Sequence, residues 1–204
     1  MAPGVWPLFW TIVCVLFIGV VLHGTIFVSI EQKALLTRVL SLALAGVALV
    51  WGVFHRQTLA AQLRRPGFLQ WEAWAALGAL AVLLPLNAAL SEFFHALEPG
   101  REDFYQQFFG SFSTGEVVLY FCLLPAVIEE ILFRGLLQHW MQLALSPYKA
   151  IIYTSALFAL IHVSVVTAPY LFLLGVVLGW SKWRTGSIYP AIAIHFIHNY
   201  WVLL

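Results

Sequence analysis

Charge is what this chain has least of. Only 9% of its 204 residues are Asp, Glu, Lys or Arg, against 62% hydrophobic residues, and the mean hydropathy is +0.92. A domain with a water-facing surface carries roughly a quarter charged residues. A soluble globular protein is therefore excluded, and a polytopic membrane protein is expected. The few charges nearly cancel to a formal +1, which leaves no cationic footprint for nucleic acid. Cysteine is scarce too. Cys14 and Cys122 both lie in apolar runs, where a thiol acts as a small hydrophobe, and they supply neither a disulfide framework nor a metal cluster. No basic segment precedes the first apolar run, Trp6 to Ile30. That run is too long for a signal-peptide core and lacks an A-x-A exit, so it is expected to be a retained first span. Internal repeats and low-complexity linkers are also missing, and one membrane domain over 1–204 is expected.

What the chain has in quantity is long apolar runs. Stretches of roughly 17–25 apolar residues mark membrane helices, and such stretches fall near 6–30, 35–54, 70–90, 117–138, 150–166, 168–181 and 188–204. The expected fold is all-α, a transmembrane bundle of about seven spans (six to eight), because hydrocarbon offers no partner to unpaired backbone groups. Alternate loops then collect Arg56, Arg64, Arg65, Lys149, Lys182 and Arg184 on one side. The other side collects Glu31, Lys33, Glu92, Glu98, Arg101, Glu102, Asp103 and Glu116. The cation-rich side is expected to be cytoplasmic, giving an N-in, C-out topology. Between the third and fourth spans, Phe104, Phe108 and Phe112 recur at i, i+4, i+8 among polar residues. That spacing predicts an amphipathic helix lying in the interface, as a connector or a substrate gate.

Ionisable groups at bilayer depth cost about 2.5–3.5 kcal/mol each on insertion scales. In the C-terminal half they are Glu129, Glu130, Arg134, His162, His195 and His198, with Asn199 beside them. Glu130 and Arg134 stand at i, i+4 with the acid first, the favourable order for an ion pair on one helical face. Glu129 lies about 100° away around the helix, a carboxylate with no cation of its own. Phe158 and His162 share a face, as do His195 and Asn199. Counted at about 1.5 Å per residue from the expected cytoplasmic ends, Glu129 lies roughly 13 Å deep, His162 18 Å, His195 10 Å and Asn199 16 Å. Three helices thus deliver a carboxylate, two imidazoles and an amide to similar depth. A purely structural role, with acids gluing helices and histidines satisfied in the core, is the plain alternative. Chemically, Glu129 with His162 could deprotonate a water while His195 and Asn199 receive an oxyanion. Glu129, His162 and His195 could instead form a zinc site, although no H-E-x-x-H pairing is present.

Glu129-Glu130-x-x-x-Arg134 followed by Gly135, then Phe158-x-x-x-His162, then His195-x-x-x-Asn199 resembles the CPBP intramembrane proteases, the CAAX-prenyl-endopeptidase and bacteriocin-processing (ABI) family. The resemblance covers about Glu116 to Leu204. It implies a catalytic core at 116–204, with the active site inside the bundle formed by the last four helices. Residues 1–115 become scaffold spans and an interfacial loop. It implies an endopeptidase in which Glu129 and His162 act on the water, His195 and Asn199 form the oxyanion site, and Glu130, Arg134 and Phe158 organise it. His198 falls outside the motif. A glutamic-type enzyme needs no cofactor, whereas the metalloprotease version would use Zn²⁺ on Glu129, His162 and His195. The implied partners are the bilayer and a peptide or protein substrate with a membrane-associated or lipidated tail. With no organelle signal or K-D-E-L-type end, a multi-pass protein of the bacterial inner membrane is expected. Two other functions remain open on sequence: a proton-coupled transporter, since Glu and His chains also relay protons, and a non-catalytic immunity or assembly factor.

Overall fold

The computed structural model describes residues 5–25, 29–97, 101–162, 164 and 166–203. Among them there is no strand, so the class is all-α. The chain runs through α1 (Val5–Thr25), α2 (Ile30–Phe54), α3 (Arg56–Leu63), α4 (Trp71–Leu97), α5 (Arg101–Gly110), α6 (114–142), α7 (Pro147–Ile161), α8 (Ala168–Thr185) and α9 (Tyr189–Leu203). Glu98 and residues 26–28 of the first expected span lie outside the described residues, as do the side chains of Arg101, Glu102, Asp103 and Phe104.

Local chemistry sets the helix ends. Ser29 with Gln32, and Ser113 with Glu116, form reciprocal capping boxes at the starts of α2 and α6. Pro147 opens α7, where its missing N–H costs nothing. Gly186, at φ 64°, closes α8 in the left-handed conformation that glycine adopts without strain. The helix α6 is continuous but not uniform: it widens into π turns over Val118–Leu123 and again over Glu130–Leu137. Pro125 follows the first of these, and a wider turn accommodates the ring and the absent donor.

The helices pack around α6. Ile128, Leu132, Phe133, Leu136 and Leu137 bury against Leu8 and Ile12 of α1, Leu59 of α3 and Phe158 of α7. A second core joins Ala76 and Leu80 of α4 to Leu174 and Leu178 of α8 and Ile194 of α9. Gly175 and Gly179 let α8 approach α7 and α6 closely. A Cβ on Gly175 would stand 3.1 Å from the Ser155 Cα, and one on Gly179 would stand 3.2 Å from Ile151. This is the small-xxx-small packing of membrane helices. Outward, Leu49, Val53, Trp74, Val82 and Leu160 are more than half exposed, a surface suited to lipid. Among the described residues two helices, Ile30–Phe54 and Trp71–Phe93, are long and apolar enough to cross a membrane. Both α7 and α9 have fifteen residues, about 22 Å at 1.5 Å per residue.

Polar ties close both ends of the bundle. At one, Arg38 of α2 bonds Glu116 at 3.0 Å and the Ser111 carbonyl at 2.9 Å, and lies 4.4 Å over the Phe112 ring. The Ser113 N–H and the Arg38 guanidinium hold the Glu116 carboxyl down to about 2. The helix expected around Phe108 is present, but its aromatic stripe turns inward. Phe108 and Phe112 are buried on Ala34 and meet Phe121 edge to face. At the other end Arg184 pairs with Glu72 at 2.8 Å, and Ser187 Oγ donates to the Pro66 carbonyl. The sequence reading placed Glu72 and Arg38 inside spans, yet each joins an end tie.

Placing a branched side chain at Gly175 forces α7 and α8 apart. Gly175→Leu is expected to cost about 1–3 kcal/mol, the range for overpacking a filled core, measured as a lowered unfolding temperature in detergent. Gly46→Leu, where a Cβ meets nothing within 4 Å, is expected to leave it within a degree or two.

Candidate active site

The two adjacent acids of α6 have different surroundings. Glu130 is fully buried, and its Oε1 accepts a hydrogen bond from Arg134 Nη1 and another from His195 Nδ1, both at 2.9 Å. The expected i, i+4 ion pair is therefore present, and it reaches across to α9. Arg134 is itself 1% exposed, donates Nη2 to the Gly175 carbonyl at 3.3 Å, and lies 4.4 Å over the Phe158 ring. Planarity lets one guanidinium serve a carboxylate, a carbonyl and an aromatic face together, which an ammonium could not do.

Phe158 occupies the centre of this cluster. Its ring meets Phe133, His162 and His195 at centroid distances of 5.5, 4.8 and 5.8 Å. Its carbonyl accepts a hydrogen bond from His162 Nδ1 at 2.7 Å. His162 is the C-cap of α7, so the imidazole sits where the helix stops rather than in mid-span. For both His162 and His195 the partner of Nδ1 is an oxygen that accepts, so Nδ1 carries the hydrogen and Nε2 is left for the site.

Both free Nε2 atoms face Glu129. Its Oε2 lies 4.0 Å from His162 Nε2 and 4.0 Å from His195 Nε2, and among the described residues it is buried with no hydrogen-bond partner. The Glu129 and His162 side chains are 20% and 31% exposed, whereas His195 is 4% exposed. The site therefore opens on the His162 side. A zinc ion bound tetrahedrally at about 2.0–2.1 Å holds its ligand atoms about 3.3 Å apart. A water making hydrogen bonds of about 2.8 Å separates its partners by about 4.0–4.6 Å. Among the described residues no three His, Cys, Asp or Glu side chains are grouped to ring a metal.

The structure thus brings Glu129, Glu130, Arg134, Phe158, His162 and His195 together. Asn199 lies one turn beyond His195 on α9, and its Oδ1 accepts from His198 Nδ1 at 2.9 Å. Among the described residues no hydrogen bond joins it to His195 or Glu129. Sequence reasoning missed three supports: the Glu130 bond to His195, the Gly175 carbonyl under Arg134, and Tyr170, which stacks on His198. Only the second had a visible signal, the Gly175-x-x-x-Gly179 spacing.

Residues 112–201 match the family model of Rce1-like type II CAAX prenyl endopeptidases. The matched segment is similar to the same family that the motifs resemble, and it holds every one of these residues. A membrane-embedded protease is the class that this match and the apolar helices support. No curated protein and no solved structure matches the chain.

Removing one partner of a buried ion pair leaves an uncompensated charge, at about 3–5 kcal/mol. Arg134→Met is expected to lower stability by that order in detergent unfolding. In the double variant Glu130→Leu/Arg134→Met most of the stability is expected to return, because no buried charge remains, while His195 loses its anchor.

Proposed function

We propose that this protein is an intramembrane endopeptidase of the glutamic type, hydrolysing a peptide bond of a peptide or protein whose tail is membrane-associated or lipidated. The observation that carries the reading is Glu129 Oε2, buried, unpartnered and 4.0 Å from two imidazole Nε2 atoms whose Nδ1 positions are both anchored. Within it, Glu129 Oε2 and His162 Nε2 form a preorganised acceptor pair that holds a water, and Glu129 takes its proton.

In this mechanism Glu129 Oε2 and His162 Nε2 orient the water, and Glu129 accepts a proton as the oxygen attacks the scissile carbonyl carbon. Negative charge develops on the former carbonyl oxygen, where His195 and the Asn199 amide donate hydrogen bonds. Since His195 Nδ1–H is committed to Glu130, Nε2 donates only when the ring carries both protons. The charges of Glu129, Glu130, Arg134 and His195 then sum to zero, a balance suited to a low-dielectric site. Glu129 next returns its proton to the leaving nitrogen as the C–N bond breaks, giving a carboxylic acid and an amine. Glu130, Arg134 and Phe158 touch no reacting atom and serve to orient His195 and His162.

The same reading places the chain in a bacterial inner membrane with seven spans, N-in and C-out. Arg64 and Arg65 between α3 and α4, Lys149 in the first turn of α7 and Arg184 in the last turn of α8 support the cytoplasmic assignment of that end. A short α7 that ends at His162 leaves non-helical backbone next to the site, which a membrane protein tolerates where it lines a watery cavity. Hydrolysis requires such a cavity.

Glu129→Gln and His162→Ala are each expected to lower cleavage of a membrane-tethered peptide by about 10²–10⁴-fold, the range for a positioned acid–base group. Both are expected to unfold within a few degrees of wild type, and full cleavage by Glu129→Gln would refute the mechanism. Incubation with 1,10-phenanthroline or EDTA is expected to leave the rate unchanged. A loss restored by Zn²⁺ would replace the water site with a metal site on Glu129, His162 and His195.

A further inference from the structure

The last helix carries a third buried imidazole that the mechanism above does not use. His198 is 6% exposed, and its ring stacks on Tyr170 at 5.5 Å and 28°. It sits 6.4 Å, centroid to centroid, from the His195 ring. Its Nδ1 lies 2.9 Å from Asn199 Oδ1. A carboxamide oxygen only accepts, so Nδ1 donates. Tyr170 is 2% exposed, and among the described residues both its hydroxyl and His198 Nε2 are buried without a partner. Among those residues no other hydrogen bond competes with Asn199 for the orientation of this ring.

A carboxamide has two unlike ends of nearly equal size, and its terminal torsion is broad and roughly two-fold. For an oxyanion the difference is decisive. The Nδ2–H end stabilises developing negative charge, whereas the Oδ1 end, presented by a half-turn of the same group, repels it. We infer that His198 is a positioning residue: it ties Asn199 Oδ1 to its own side of α9 and so leaves Nδ2–H as the end offered to the site. Tyr170 is the wall that holds its ring. This inference rests on the oxyanion role given to Asn199 above.

The test is steady-state cleavage of a membrane-tethered peptide by the full chain. His198→Phe keeps a ring to stack on Tyr170 and removes the donor. His198→Asn returns an N–H close to the Nδ1 position. In His198→Phe, kcat is expected to fall about 10–100-fold at unchanged KM, less than the 10²–10³-fold loss of a whole oxyanion donor, and His198→Asn is expected to recover most of it. In an Asn199→Ala background, His198→Phe is expected to cost nothing more. Wild-type kcat in His198→Phe, or losses from His198→Phe and Asn199→Ala that multiply, would overturn the positioning role while leaving Asn199 as a donor. Wild-type kcat in Asn199→Ala would instead remove the oxyanion role itself, and this inference with it. If His198→Phe does not fold, His198→Gln takes its place. Its N–H falls near the Nε2 position, so the same loss of kcat is expected.

Discussion

Glu130 Oε1 accepts two hydrogen bonds at 2.9 Å, one from Arg134 in its own helix and one from His195 of α9, in a position with no exposure at all. A carboxylate so far from water is tolerated only if its charge is met, and here Oε1 takes both bonds while Oε2 has no partner among the described residues. That requirement constrains everything around it. Arg134 must be present and must be planar. The second arm of its guanidinium needs an oxygen, and only a helix that comes as close as α8 does at Gly175 offers its carbonyl. The guanidinium face needs an aromatic ring, which Phe158 provides. The ring that covers Arg134 belongs to the residue whose carbonyl holds His162, so one residue links the charge cluster to the far imidazole.

The shape of α6 follows from the same demands. A uniform helix consumes its own carbonyls, but over Glu130–Leu137 the turn is wide, and the Gly135 carbonyl accepts from Gln62 of α3 at 2.8 Å. π turns are uncommon and recur at functional sites because they reset the direction of side chains within a helix. Here the wide segment begins at Glu130, so the change in helical geometry falls between the two acids. α3 packs against that segment through Leu59, which gives an N-terminal element a direct part in holding the helix that carries Glu129 and Glu130.

The ionisable residues that gather around Glu129 and Glu130 stood out in the sequence because membrane depth makes charge conspicuous. Three charges in an apolar run, an aromatic one turn before a histidine, and a histidine one turn before an asparagine are each visible as spacing within one helix. Bonds between helices were not visible. Nothing in the spacing of Glu130 indicates that His195, 65 residues later, shares its Oε1. The Phe108 and Phe112 stripe was read as lying in the interface because periodicity shows only that a face is apolar, not whether lipid or Ala34 and Phe121 covers it. Counting apolar runs likewise assigned Glu72 and Arg38 to span interiors. Their partners, Arg184 and Glu116, lie more than seventy residues away, and only the folded chain shows that these charges belong to the ends.

Under the mechanism proposed above, the adjacent Glu129 and Glu130 meet two unlike demands. A general base for hydrolysis has to meet water, so it must face an opening. An anchor for an imidazole has to be immobile, so it must be enclosed. Consecutive residues of a helix point about 100° apart, and one helix can therefore satisfy both conditions within a single step of the chain. In α6 the step runs from a side chain 20% exposed to one fully enclosed. His195 lies across that step, with Nδ1 on the enclosed acid and Nε2 toward the open one. Moving either acid by one residue would turn it by that same angle, and a single imidazole could no longer bridge the two.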